Sequence, residues 1–299
     1  MRPVHVAATG HSLNYLPEYV ASAQGFFAAE GLSVTASVPV PWERVLLDLG
    51  SGTAQAVLGG IWLPALFHRR GRAYTAFAQA CRRAPVSLLA RRPDSDFRWP
   101  KLAGTVVAVA GASGAGFGLL TRMLMREGGL EPSEATLVHD LDPVLLAPLF
   151  RGGLADYLML DTPGAAAMEA AGDGHVVFSA VEHGGDVPWS VYYAAASPAE
   201  GDPERLEAQT RFCRALGRGM AWLNLQPASE CLGFLRATFP SIDPGLLPGL
   251  VDTYRAHGMW STPAISRAAH DRWQAAMARD HLVDAPVPYE ALVDPLPAS

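Results

Sequence analysis

The sequence predicts a two-lobed α/β protein with a ligand cleft between its lobes. One pattern occurs twice. Gly31–Pro64 reads GLSVTASVPVPWERVLLDLGSGTAQAVLGGIWLP, and Gly129–Pro163 reads GLEPSEATLVHDLDPVLLAPLFRGGLADYLMLDTP. Each copy passes from an apolar run through a loop and a helix to a glycine stop, a short strand and a turn closed by proline. The copies lie about a hundred residues apart, too far for a solenoid, so each reads as one strand–helix–strand unit in its own lobe. A length of 299 residues suits two domains. Clefts between domains are where small ligands bind.

Taken in order, Pro3–Thr9 alternates weakly and reads as a first strand, with the loop Gly10–Tyr15 after it. Pro17 suits the first turn of a helix. That helix, Glu18–Glu30, sets Val20, Ala23 and Phe27 on one face and stops at Gly31. The first repeat follows, with an apolar run to Val40, a loop bearing Trp42, a helix to Leu49 and a strand Ala54–Leu58. A helix over Trp62–His68 ends in basic HRRGR, cations that suit a helix C-terminus. Tyr74–Ala80 and Val86–Ala90 read as strands, and the polar stretch Arg91–Pro100 as the crossing into the second lobe. Thr105–Ala110 is a continuous apolar run, as in a buried strand. GASGAGFG and a helix over Leu119–Arg126 come next. The second repeat places a loop at His139–Asp142, a helix at Pro143–Phe150 and a strand at Ala155–Leu160. His175–Ala180 is another strand, Glu182–Asp186 a loop, and Trp189–Ala194 a strand returning to the first lobe. Helices are expected over Glu204–Leu225, Pro227–Thr238, Pro244–Ala256 and Ser266–Asp280, then an extended Pro-rich tail from Val283. The lobes are therefore expected at residues 1–91 with 190–299, and at 92–189.

Composition narrows the function. Hydrophobic residues make up 49% and charged residues 17%, which supplies a core and argues against disorder. A net charge of −6 argues against a nucleic-acid partner, because phosphate binding needs a basic face. Lys101 is the single lysine, so a Schiff-base enzyme would have no other amine to use. It precedes a strand, where an exposed lysine is the plainer reading. Cys81, Cys213 and Cys231 show no metal spacing, and Cys213 and Cys231 lie in apolar helical sequence expected in the core. No cofactor or metal is implied. No apolar run is long enough for a transmembrane helix. The start, MRPVHVAATGHS, has no apolar signal segment. As written the chain is expected in the cytoplasm, or in the periplasm if an export segment precedes it.

In open α/β lobes ligands bind beyond the carboxyl ends of the strands. That rule selects the loop with His11, Ser12, Asn14 and Tyr15, the loop with Trp42 and Glu43, and the turn with Gly60 and Trp62. In the other lobe it selects Ser113, Gly114, Ala115 and Gly116, with Asp161 and Thr162. Trp189 lies near the inferred hinge. The glycines of GASGAG open backbone amides to an anion at a helix N-terminus, or else make a tight strand–helix turn. Tyr15, Trp42, Trp62 and Trp189 form an aromatic cage for a flat ligand, or else pack the lobes. His11 beside Ser12 is the candidate acid or base. Asp161 either accepts from a ligand or caps the next helix.

The run YLPEYVASAQGFFAAEGLSV resembles the opening of the sulfonate/nitrate/thiamine-precursor (SsuA/THI5-like) family of substrate-binding proteins. KLAGTVVAVAGASGAGFGLLTRML, RGGLADYLMLDTP and MWSTPAISRAAHDRW resemble its later segments, so the likeness covers nearly the whole chain. The resemblance implies a type II periplasmic-binding-protein fold with two crossover strands, near Arg91 and near Trp189. It also implies a small-molecule ligand and an ABC-type permease as partner. Enzymes share this fold, among them desulfinases, aromatic decarboxylases, chorismate dehydratase and the pyrimidine synthase of thiamine biosynthesis. The synthase's cysteine-rich cluster and N-terminal lysine have no counterpart here. A cytoplasmic lyase, desulfinase or decarboxylase using His11 and Ser12 is the alternative reading. A ligand-sensing module would need an output domain, and none is visible.

Overall fold

A computed structural model describes residues 1–68, 70, 73–111, 115–141, 143–196 and 202–294, with only the backbone of Asp140, Leu141 and Pro143. The chain opens with β1 (Arg2–Ala8), then α1 (Leu16–Ala23) and α2 (Phe26–Ala29). One helix was expected over this stretch. Gly25 interrupts it in the left-handed region, at φ 69°, a conformation that costs glycine least. β2 (Leu32–Ser37), α3 (Val45–Ser51), β3 (Ala56–Gly59), α4 (Trp62–Phe67) and β4 (Tyr74–Cys81) follow. The chain then builds β5 (Val86–Ala90), β6 (Val106–Ala110), α5 (Gly116–Glu127), β7 (Thr136–Leu141), α6 (Pro143–Arg151), β8 (Tyr157–Asp161), α7 (Thr162–Ala170), β9 (His175–Ser179) and α8 (Ala180–His183). It ends with β10 (Ser190–Ala195), α9 (Pro203–Leu225), α10 (Leu232–Thr238), α11 (Leu247–Ala256), α12 (Arg267–Arg279) and α13 (Tyr289–Leu292).

Two sheets result, ordered β2-β1-β3-β10-β4 and β7-β6-β8-β5-β9. The two repeats occupy matching places. β2-α3-β3 brackets β1 in the first sheet, with β1 parallel to both strands. β7-α6-β8 brackets β6 in the second in the same way. Each sheet then takes one antiparallel strand beside the third position, β10 against β3 and β5 against β8. This is the two-lobed α/β architecture expected from the repeat.

The division differs in detail from the expected boundaries. The first compact unit is Met1–Arg82 with Asp186–Cys231 and Tyr254–Ser299; the second is Arg83–Gly185 with Leu232–Thr253. β5 sits in the second sheet, so the chain changes sheet between Cys81 and Val86, before Arg91–Pro100. A wholly buried strand such as VSLLA carries no polar face to say which sheet it joins. The expected loop at His139 is strand as far as Leu141, while Asp142 lies outside the described residues.

In the first unit α9 packs along α1 and α2. The approach is close at Gly219, where a Cβ would stand 2.5 Å from the Pro17 carbonyl oxygen. Tyr192, Tyr193, Phe212, Trp260 and Trp273 are all nearly inaccessible and form the aromatic centre of this unit. Val293 bridges to Ala76, so the tail joins the edge of the first sheet. In the second unit Leu88, Leu89, Leu158, Met159, Leu119 and Leu120 are buried between sheet and helix. Cys213 is core, as expected, but Cys231 is only half-buried, at the end of the short 3-10 turn that precedes α10. Among the described residues no helix is long and apolar enough to cross a membrane.

Candidate functional site

The first unit presents three adjacent loops at the carboxyl ends of β2, β1 and β3. Because β1 lies between the other two, the loops carrying Trp42 and Trp62 stand on either side of the loop carrying His11 and Ser12. Trp42 and Trp62 meet edge to face, with ring centroids 6.2 Å apart and planes at 73°. Both are half-buried, so each keeps ring surface open. Gly60 makes the pairing possible, since a Cβ there would lie 2.4 Å from the Trp62 ring. Glu43, beside Trp42, is exposed.

His11 is exposed and stacks on Tyr19 at 4.9 Å, and its Nδ1 and the Tyr19 hydroxyl are 3.1 Å apart. Ser12 turns the other way and donates to the Asn14 side-chain oxygen. Asn14 is only 2% exposed. Its amide donates to Ser190 Oγ at 3.1 Å and contacts Cys81 Sγ at 3.5 Å, while its backbone carbonyl accepts from the Trp260 indole at 3.1 Å. Asn14 thus ties the β1 loop to the end of β4 and the start of β10. Its donors are used inside the unit, so it supports the loop that carries Ser12. Tyr15 is also buried, its hydroxyl 3.4 Å from Thr9 Oγ1, and burial raises its pKa.

Beneath this loop lies Glu18, 3% exposed, which accepts from the Tyr192 hydroxyl at 2.8 Å. Burial lifts the Glu18 carboxyl to about 7, and the Tyr192 hydrogen bond offsets only part of that rise. Glu18, Tyr192 and Ser190 were not singled out from the sequence. A lone carboxylate in the apolar run YLPEYV was the one available sign.

The four rings expected to form a cage have these neighbours among the described residues. Trp42 and Trp62 pair, Tyr15 is buried, and Trp189 packs edge-on against Trp273 at 5.9 Å. Aromatic spacing along a sequence cannot say which rings share a sheet edge.

In the second unit Ser113 and Gly114 lie outside the described residues. Ala115 is the N-cap of α5 and Gly116 its buried first residue. α5 meets β7 at Gly118, where a Cβ would stand 3.2 Å from both His139 Nδ1 and Arg122 Nη1. His139 is therefore an additional polar side chain near the first turns of α5. Asp161 is exposed and caps α7, accepting the Gly164 amide at 3.0 Å, which realises the capping alternative. Thr162 is 9% exposed and accepts from Ser87 Oγ at 3.2 Å. Among the described residues no group of three or more His, Cys, Asp or Glu could hold a metal ion.

The family described as NMT1/THI5 like matches residues 12–230. A Bacillus subtilis (strain 168) chain named binding protein YtlA is 24% identical over 295 residues, covering 97% of this chain and 87% of its own length. The periplasmic aliphatic sulphonate binding protein SsuA of Escherichia coli aligns with a TM-score of 0.70 at 15% identity, over 100% of this chain and 94% of that one. The ligand binding component of an ABC-type import system from Staphylococcus aureus aligns at 0.72 and 11% identity, over 99% and 97%. Both structural alignments show the periplasmic-binding-protein fold.

Proposed function

The chain belongs to the NMT1/THI5-like family, and from that premise we propose that it is the substrate-binding component of an ABC-type import system. The ligand is a small organic molecule with a flat or apolar portion. Trp42 and Trp62 take that portion, and His11, Ser12 and Glu43 lie on the same run of loops to meet its polar groups. The observation that carries this reading is the half-buried Trp42–Trp62 pair at the carboxyl edge of the first sheet. Large aromatic faces left accessible beside polar groups are what ligand pockets use for affinity and orientation. The names of YtlA, SsuA and the Staphylococcus aureus component support a binding role and leave the ligand of this chain open.

A fold by itself does not separate a binder from an enzyme. Here the Ser12 hydroxyl donates a hydrogen bond to the Asn14 amide oxygen, and an amide is no base, so this contact favours the binding reading over a serine nucleophile. A melting-temperature screen with sulfonates, nitrate and pyrimidines, followed by calorimetric titration of the best stabiliser, tests the proposal. The expected result is saturable binding that weakens about tenfold or more in Trp42→Ala or Trp62→Ala. Turnover of the stabilising compound, lost in His11→Ala, would transfer the site to the enzyme reading.

A further inference from the structure

The second unit has a polar groove at the opposite end of its sheet from Asp161, with a volume of about 690 Å³. It lies where β5 ends and where β6 and β8 begin, and it is lined by Arg91, Arg92, Asp94, Lys101, Asp156 and Tyr157, among others. We propose that this groove binds a doubly charged tetrahedral oxyanion of the phosphate type through Arg91 and Arg92.

The argument is one of charge already committed and charge left over. Lys101 donates to both oxygens of Asp94 at 2.7 Å, so that pair is satisfied within the groove. Asp156 holds its carboxylate against the Val106 amide at 2.9 Å, across the start of the β6–β8 pairing. Asp94 is thus neutralised, whereas Asp156 keeps its charge while the amide holds it, so Arg91 and Arg92 leave the groove with a net positive charge. Among the described residues neither the Arg91 nor the Arg92 guanidinium has a hydrogen-bond or ion-pair partner. Arg91 is also placed. Its head lies over Gly153, where a Cβ would stand 2.9 Å from Nη1, and Gly153 has φ 89°. The turn after α6 therefore carries no side chain at the point where the guanidinium rests. Both guanidinium groups line the one groove, and guanidinium binds tetrahedral oxyanions through paired hydrogen bonds. Tyr157, a half-buried phenol whose pKa burial raises, supplies a neutral donor on the same wall. The groove belongs wholly to the second unit and does not depend on the binding role proposed above.

Calorimetric titration of the full chain with inorganic phosphate, and separately with glycerol phosphate, tests the proposal, with sodium chloride at equal ionic strength as the control. The expected result is saturable binding of at least one of the two. Tighter binding of the ester marks a phosphorylated metabolite as the source, and tighter binding of the free ion marks phosphate itself. Arg91→Gln with Arg92→Gln should weaken it by about tenfold or more. Arg98→Gln, which removes a cation already paired with Asp96 outside the groove, should leave it unchanged. Arg92→Gln alone, a change at an exposed and unpaired side chain, should weaken binding by about threefold and keeps the test readable if the double variant does not fold. Absence of saturable binding up to about 10 mM overturns the proposal. So does phosphate bound as tightly by the folded arginine variants as by the parent, which would put the anion elsewhere.

Discussion

Glu18→Gln gives the sharpest test of the interior beneath the candidate site. Glu18 is 3% exposed, and its carboxyl is lifted from 4.5 to about 7. The folded state therefore keeps the proton over a range in which the unfolded chain has released it. For such a group the stability contribution is present below the unfolded pKa and falls as pH rises through the folded one. The window here runs from about pH 4.5 to about pH 7. A shift of this size corresponds to a loss on the order of 3 kcal/mol, at 1.36 kcal/mol per unit. Glutamine keeps an oxygen to accept from the Tyr192 hydroxyl and cannot ionise. At pH 4 the variant and the parent should melt at nearly the same temperature. At pH 8 the variant should melt higher, by about 2–4 °C for each kcal/mol. His270, which is buried and whose pKa is lowered by that burial, contributes with the opposite sign as pH falls, but equally in both proteins. The difference between the two melting curves across pH 4 to 8 thus isolates Glu18. A difference that stays constant with pH would refute the argument, because it would mean that Glu18 does not titrate in this window.

Further outcomes follow from single contacts. Gly60→Ala should weaken ligand binding by displacing the Trp62 ring from its Trp42 partner, with little change in melting temperature; titration and melting read the two effects separately. Asn14→Ala should destabilise the first unit by about 1–3 kcal/mol, because Ser12 and Ser190 lose a buried partner; the shift in urea midpoint measures it. Asp161→Ala should cost about 0.5–2 kcal/mol through loss of the α7 cap, whereas Asp161→Asn should recover most of it; a much larger loss of ligand affinity than of stability would assign Asp161 a ligand contact as well.

The sequence alone determined the architecture through a pattern that chemistry enforces. A strand–helix–strand unit needs an apolar run, a helix-stopping glycine and a second apolar run in that order, so its recurrence at Gly31 and Gly129 announced two similar sheets. It also located the strand-end loops, and with them Trp42, Gly60, Trp62, His11 and Asp161. What these residues do to one another was settled by tertiary structure. β5 is a short apolar strand with no signature of its sheet, and only pairing placed it beside β8; β10 was expected in the first lobe, and pairing set it beside β3. The Trp42–Trp62 pair depends on β1 standing between β2 and β3, an order that local sequence does not encode. Asn14 looked like a loop residue open to ligand and is instead a buried tie, because its partners Cys81 and Ser190 come from distant strands. Glu18 and Tyr192 are separated by 174 positions along the chain, and only the packing of α1 against the sheet brings the carboxyl to the phenol and takes both out of water. Periodicity is local and survives in the sequence; burial and partnership are relations between distant segments, and they exist only once the chain has folded.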